Sequence, residues 1–135
     1  MTSERTTYVK YRLEKAKEAL EAAKLMFPQS LSGTVNRLYY ACFYAVIAAL
    51  LIEGKATRRH ATTVLLFQDV FTKRGLLPAD MGKFYSRIFH LRIKGDYADL
   101  AIFEEAEVKA LIAQTEEFVK FVSEYVLKRL KEIEQ

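Results

Sequence analysis

A run of fifteen residues without a charge, Leu38 to Ile52, constrains this chain more than any other feature. As a helix it spans about 22 Å and falls short of the roughly 20 residues that a membrane crossing needs, so a central buried helix is predicted. Its small residues Ala41, Ala45, Ala48 and Ala49 permit close approach of a second helix, within the subunit or across a dimer. The helix is expected to begin near Val35, after the turn Pro28 to Gly33, with Thr34 as N-cap, and to stop at Gly54. Its first half also carries a polar ribbon, Arg37, Tyr40 and Tyr44, flanked by Asn36. These side chains are either hydroxyls and a capping arginine at a bundle edge or the lining of a pocket.

Around this segment the apolar residues recur three and four apart, the period of one helix face. From about Ser3 to Phe27 the stripe is Val9, Leu13, Ala16, Leu20, Ala23 and Phe27, with Lys10/Glu14 and Lys17/Glu21 as helical neighbours on the other side and Pro28 as the stop. Thr57 is the expected cap of a third helix running to about Lys73, its buried face Val64, Phe67 and Phe71. Gly75 closes that helix and Pro78 opens the next, where Met81, Phe84, Ile88 and Leu91 mark the inner stripe, and Tyr85, Phe89 and Arg92 the adjacent face. A last helix runs from about Glu104 to Ile133 on Val108, Leu111, Ile112, Thr115, Phe118, Val122, Val126, Leu130 and Ile133. No strand pattern occurs. The expected fold is all-α: a single domain, residues 1–135, built as an antiparallel four-helix up-and-down bundle with an additional short helix.

The composition bounds the function without naming it. Twenty-one basic against seventeen acidic residues give a net charge of +4 on a mixed surface, a tilt toward anionic partners but not a basic tail. The single cysteine, Cys42, lies inside the apolar run and cannot form an intrachain disulfide. With no hydrophobic signal core in Met-Thr-Ser-Glu-Arg-Thr-Thr, a cytoplasmic setting is expected. There is no glycine-rich phosphate loop and no paired-cysteine pattern, and the two histidines, His60 and His90, stand thirty residues apart, so neither a metal nor a cofactor is expected.

The chemistry-bearing stretch is Leu91 to Asp99, Leu-Arg-Ile-Lys-Gly-Asp-Tyr-Ala-Asp, which follows an apolar stripe. It sets Arg92, Lys94, Asp96, Tyr97 and Asp99 around Gly95, which is expected to break the helix there. Asp96, four residues after Arg92, is placed to pair with it. A second cationic group, Arg58, Arg59 and His60, falls on the first turn of the third helix, where anions are welcome. Metal-free RNA cleavage needs a group to take the 2′-hydroxyl proton, a cation for the charge gathering at phosphorus and a donor for the leaving oxygen. Arg92 suits the second task, since its planar fork holds two phosphate oxygens at once.

Three segments in order, Asn-Arg-Leu-Tyr-Tyr-Ala-Cys-Phe-Tyr-Ala (36–45), Leu-Leu-Pro-Ala-Asp (76–80) and Leu-Arg-Ile-Lys-Gly-Asp-Tyr-Ala-Asp-Leu (91–100), resemble the HEPN domain family of small helical bundles. The likeness is closest to its subgroup with an Asp-Tyr pair after the arginine, and it covers nearly the whole chain. It implies a homodimer with a cleft between subunits and RNA or nucleotide binding. In many members it implies a metal-independent ribonuclease whose motif is an arginine followed, after four to six residues, by a histidine. Many members are toxins encoded beside a small nucleotidyltransferase antitoxin, and some receive AMP on a tyrosine near the motif.

Carried onto this chain, the motif arginine is Arg92, and Tyr97 stands where the histidine is expected. A phenol with a pKa near 10 is ionised to roughly one part in a thousand at pH 7, a large deficit for a general base. Either His60 arrives from another helix to replace the histidine, or binding remains without cleavage. The candidate catalytic residues are therefore Arg92, Asp96, Tyr97 and His60, and the candidate nucleic-acid contacts are Arg37, Tyr40, Arg58, Arg59 and Lys94. The expected function is that of an RNA- or nucleotide-binding domain, an endoribonuclease toxin of a two-gene module in the catalytic reading. The alternatives are a non-catalytic partner of a nucleotidyltransferase and a purely structural helical dimerisation domain.

Overall fold

Apolar residues at helical spacing fold the first segment into α1 (Ser3–Met26), which buries Val9, Leu13, Ala16, Ala19 and Ala23. The computed structural model describes residues 3–97 and 102–134, and within them the chain is helical with no strand. Among the described residues there are four long helices and one short one, as the periodicity predicts.

The central helix, α2 (Leu31–Ile52), starts earlier than expected. Its N-cap is Ser30, whose hydroxyl accepts the Gly33 N–H at 3.1 Å. Thr34, the expected cap, is instead buried, and its hydroxyl donates back to the Ser30 carbonyl at 2.7 Å. Ser30 wins because the four residues after it take up helix directly, leaving Thr34 one turn inside. α2 is long and apolar enough to cross a membrane, its most apolar stretch having a mean hydropathy of 1.6, but 72% of that stretch is buried in the chain. Ala41, Ala45, Ala48 and Ala49 are fully buried here, so the close approach they permit is used within the subunit. α2 packs against α1, α4 and α5, and each large side chain it hides, such as Leu38, Val46 or Leu50, contributes roughly 1.5–3 kcal/mol.

Gly54, at φ +76°, turns the chain out of α2. The third helix, α3 (His60–Phe67), begins after the expected cap. Thr57 lies outside it and accepts the Arg59 N–H at 3.3 Å, while Arg59, the actual N-cap, contributes no side-chain bond. A π-helical turn, Gln68–Thr72, continues it, and Val64, Phe67 and Phe71 are buried as predicted. Pro78 then caps α4 (Ala79–Asp96).

The buried face of α4 is rotated from the expected stripe. Met81, Tyr85 and Ile88 are buried, whereas Phe84 and Leu91 are only half-buried. Gly95 does not break the helix, which runs through it to Asp96; a Cβ there would come within 3.2 Å of the Phe103 ring, so the glycine serves close packing. Asp99 and Leu100 lie outside the described residues. The last helix, α5 (Glu105–Glu134), buries Val108, Leu111, Thr115, Phe118, Val122, Val126 and Leu130. It also fixes the end of α2: Tyr125 Oη donates to Glu53 Oε1 at 2.7 Å and Arg129 Nε at 3.1 Å. Burial opposes ionisation of Glu53, but these two donors prevail and hold its carboxyl below the usual range.

Candidate functional site

Because the inner face of α4 follows Tyr85 and Ile88, the next side chain on it is Arg92, four residues beyond Ile88. Its guanidinium carbon lies 5.2 Å from the centre of the Tyr39 ring and 5.5 Å from that of Tyr40, both on α2 and close enough for cation–π attraction. His60, the first residue of α3, meets the same two rings at 5.6 Å and 5.8 Å and stacks on Phe43 at 4.4 Å and 13°. Its Nδ1 is 2.6 Å from the Tyr39 hydroxyl. Arg92 and His60, thirty-two positions apart in sequence, thus share one pair of phenols.

The guanidinium is not fully matched. Asp96 Oδ2 stands 3.4 Å from Arg92 Nε, yet that nitrogen is buried without a hydrogen bond, and 21% of the side chain remains open to solvent. A cation held with donor capacity to spare suits an anionic oxygen.

Proton placement follows from burial. The Tyr39 and Tyr85 phenols are both pushed up by burial and keep their protons; Arg92 partly offsets this at Tyr39. The Tyr85 hydroxyl is buried without a hydrogen bond of its own beside the stacked Tyr39 ring. Tyr39 Oη can donate to Nδ1, which places the ring hydrogen on Nε2, or accept from a protonated Nδ1. The second placement leaves Nε2 bare as a base.

Burial first, and then the positive charge of Arg92, lowers the His60 pKa below its ordinary value of 6.5, so the ring is neutral at pH 7. The charged form is disfavoured in the folded state. The stability contribution from His60 is therefore fully present above about pH 6.5 and is lost as pH falls through the lowered folded value. A proton NMR titration is expected to place the His60 midpoint below that of an unfolded histidine, and Arg92→Ala to raise it. A midpoint at or above the unfolded value would contradict the burial and charge described.

The other predicted residues divide into two groups. Arg37 lies over the Tyr40 ring at 4.8 Å and donates to Asn36 Oδ1 at 2.8 Å, so Tyr40 is shared by Arg37, Arg92 and His60. Asp96 is exposed but paired with Arg92. Tyr97, at the end of α4, is 63% exposed, and among the described residues no ring contact joins it to this cluster. Lys94 is exposed, its ammonium 5.9 Å from the Phe103 ring centre. Arg58 and Arg59 are exposed at the start of α3. His90 is exposed and bonded to the Ser86 carbonyl at 2.7 Å, and Cys42 is buried with its thiol pushed up by desolvation.

Sequence reasoning missed Tyr39, Tyr85 and Arg12. Tyr39 lies inside the apolar run and reads as core, and Tyr85 reads as a side chain beside the inner stripe of the fourth helix; that the two rings stack across helices at 6.4 Å needs coordinates. Arg12 was signalled only by Tyr8 four residues before it, and its guanidinium rests over that ring at 4.9 Å.

Comparison with known proteins adds what geometry alone cannot. The family model described as "HEPN domain" matches residues 9–125. A "UPF0332 protein" of Thermotoga maritima is 38% identical over 125 residues, covering 92% of this chain and 95% of the relative. A protein of Methanocaldococcus jannaschii named "Putative toxin" is 35% identical over 123 residues, 90% and 87% of the two chains. A second of that name from the same organism is 24% identical over 118 residues, 87% and 80%. A match of that extent, over a helical chain with an arginine on the inner face of its fourth helix, makes this protein a member of the HEPN domain family.

Proposed function

We propose that this chain binds RNA and cleaves it without metal, as the toxin of a two-gene module, with His60 from α3 in the place of the motif histidine. The observation that carries the reading is that His60 and Arg92 rest on the same Tyr39 and Tyr40 rings. In this scheme Arg92 holds the non-bridging phosphate oxygens. His60 Nε2 takes the proton from the ribose 2′-hydroxyl, and the 2′-oxygen attacks the adjacent phosphorus. The bond to the 5′-oxygen breaks, and the imidazolium returns its proton to that leaving oxygen, giving a 2′,3′-cyclic phosphate and a 5′-hydroxyl. The two relatives named "Putative toxin" support the toxin role.

We read residues 1–135 as one domain, an antiparallel up-and-down bundle. The ion pairs Lys10–Glu134 at 3.8 Å and Lys24–Glu116 at 3.6 Å support opposite directions for α1 and α5. We place it in the cytoplasm as a homodimer, which a sedimentation run tests, opposite a nucleotidyltransferase antitoxin. A second reading, a non-catalytic partner of such an enzyme, is favoured by one observation: the Tyr97 hydroxyl is exposed where a partner could reach it.

Cleavage of unpaired RNA in the presence of a chelator separates the two. The wild-type protein is expected to cleave, and His60→Ala to lose about 10²–10⁴-fold, the usual worth of a positioned proton-transfer group. Salt-sensitive RNA binding with no cleavage by the wild type would instead support the second reading.

A further inference from the structure

α4 and α5 both pack on α2, and a furrow lies between them beside the first turns of α4. It holds about 380 Å³, a size ordinary for a small-molecule site. Gln114, Glu117, Phe118 and Phe121 recur at helical intervals and share one face of α5, across the furrow from Asp80, Met81 and Phe84 of α4.

The core does not use this furrow up. Phe118 is buried, its ring centre 5.6 Å from that of Phe67 and 5.8 Å from that of Phe84, whereas Phe84 is only half-buried and Phe121 is 42% exposed. Aromatic surface is therefore left open to water in a concave site.

The charge here runs against that of the chain. In a protein of net charge +4, this furrow is lined by two carboxylates, Asp80 and Glu117, and by no basic residue. Among the described residues neither carboxylate forms an ion pair. Asp80 lies in the first turn of α4, where the helix dipole favours an acid, but Glu117 lies in the middle of α5, where no dipole accounts for it. An anion would be repelled from this furrow, and a neutral apolar body would strip water from both carboxylates and return nothing. A small inorganic cation would leave the rings uncovered. An organic cation answers both features, its charge meeting the carboxylates and its flanking carbons the rings.

We propose that the furrow between α4 and α5 binds a small organic cation, an alkyl- or arylalkyl-ammonium, its nitrogen held by Asp80 and Glu117 and its apolar body by Phe84, Phe118 and Phe121. The site shares no residue with the cluster of Arg92 and His60, so it stands whether or not the chain cleaves RNA.

A proton–nitrogen NMR titration of the full chain with phenethylammonium at low salt tests this. Three further probes are set beside it: phenethyl alcohol, its neutral counterpart; methylammonium, the charge without the apolar body; and a short peptide with one lysine among apolar residues. Saturable shifts are expected at the amides of Met81, Phe84, Glu117 and Phe121, with an affinity at least about tenfold above that for phenethyl alcohol or methylammonium, each of which lacks one of the two contacts. Glu117→Gln and Phe121→Ala are each expected to weaken binding by about fivefold or more, the loss of one charged or one ring contact. Both side chains are exposed, so both variants keep the fold. The proposal is overturned if phenethylammonium at about 10 mM shifts none of these amides, a weak limit even for a ligand of its size. It is equally overturned if phenethyl alcohol binds as tightly as the ammonium, or if Glu117→Gln binds it as the wild type does. Saturation by the peptide alone would assign the furrow to a protein partner and overturn the proposal as well.

Discussion

Arg92→Ala is expected to lower RNA cleavage by about 10²–10³-fold, the cost of removing one preorganised donor from charge developing in a transition state. The effect is expected at the chemical step, because the guanidinium meets its strongest counter-charge as the phosphorus gains a fifth oxygen. The fold is expected to survive. The lost contacts are two cation–π approaches and an incomplete pair with Asp96, together about 1–2 kcal/mol of a total of roughly 5–15. Arg92→Lys is expected to recover little, since an ammonium cannot hold two oxygens in one plane. Single-turnover cleavage beside a thermal melt checks both halves. A variant that melts near wild type and cleaves at the wild-type rate would remove Arg92 from the site.

The largest effect on stability is expected from Phe67→Ala, about 3–5 kcal/mol measured by urea unfolding. Phe67 is fully buried, and its ring centre lies 5.4 Å from Phe71, 5.5 Å from Tyr85 and 5.6 Å from Phe118. It therefore ties the α3 segment to α4 and α5 at one point. The same residue supports the site indirectly, because Tyr85 stacks on Tyr39 at 6.4 Å and Tyr39 carries both Arg92 and His60. Loss of the ring is expected to loosen that stack as well as the core. A cost below about 1 kcal/mol would mean that the site collapses around the missing ring, contrary to the close packing described.

The helices were legible in the sequence because burial on one face imposes a period that survives without coordinates. Val9, Leu13 and Ala16 in α1, and Val108, Leu111 and Phe118 in α5, announce their direction by spacing alone. Caps were less legible. Thr34 and Thr57 are capping residue types, but Ser30 and Arg59 occupy the positions where the backbone leaves extended geometry, and which hydroxyl lies one turn ahead of the first helical N–H is settled by the connecting turn. The stripe of α4 was misplaced by a fraction of a turn because Tyr85 reads as amphipathic and Phe84 as apolar. Packing against Tyr39 and Phe118 draws the tyrosine inward instead. Arg92 could be singled out as a motif residue. That His60 joins it could only be posed as a question, since the answer depends on how α3 docks on α2. Tyr97, singled out by its place in the motif, follows the end of α4 and is exposed, which the sequence alone does not tell.

The measurement that bears most directly on the shared role of His60 and Arg92 is the cleavage rate of the double variant Arg92→Ala/His60→Ala, set beside the two single variants. If both side chains act on one phosphate, the double variant is expected to cleave no more slowly than the worse single one, since each loss already disables the same transition state. If the two losses multiply, His60 and Arg92 act independently, and the placement of both on one pair of phenols does not make them one site.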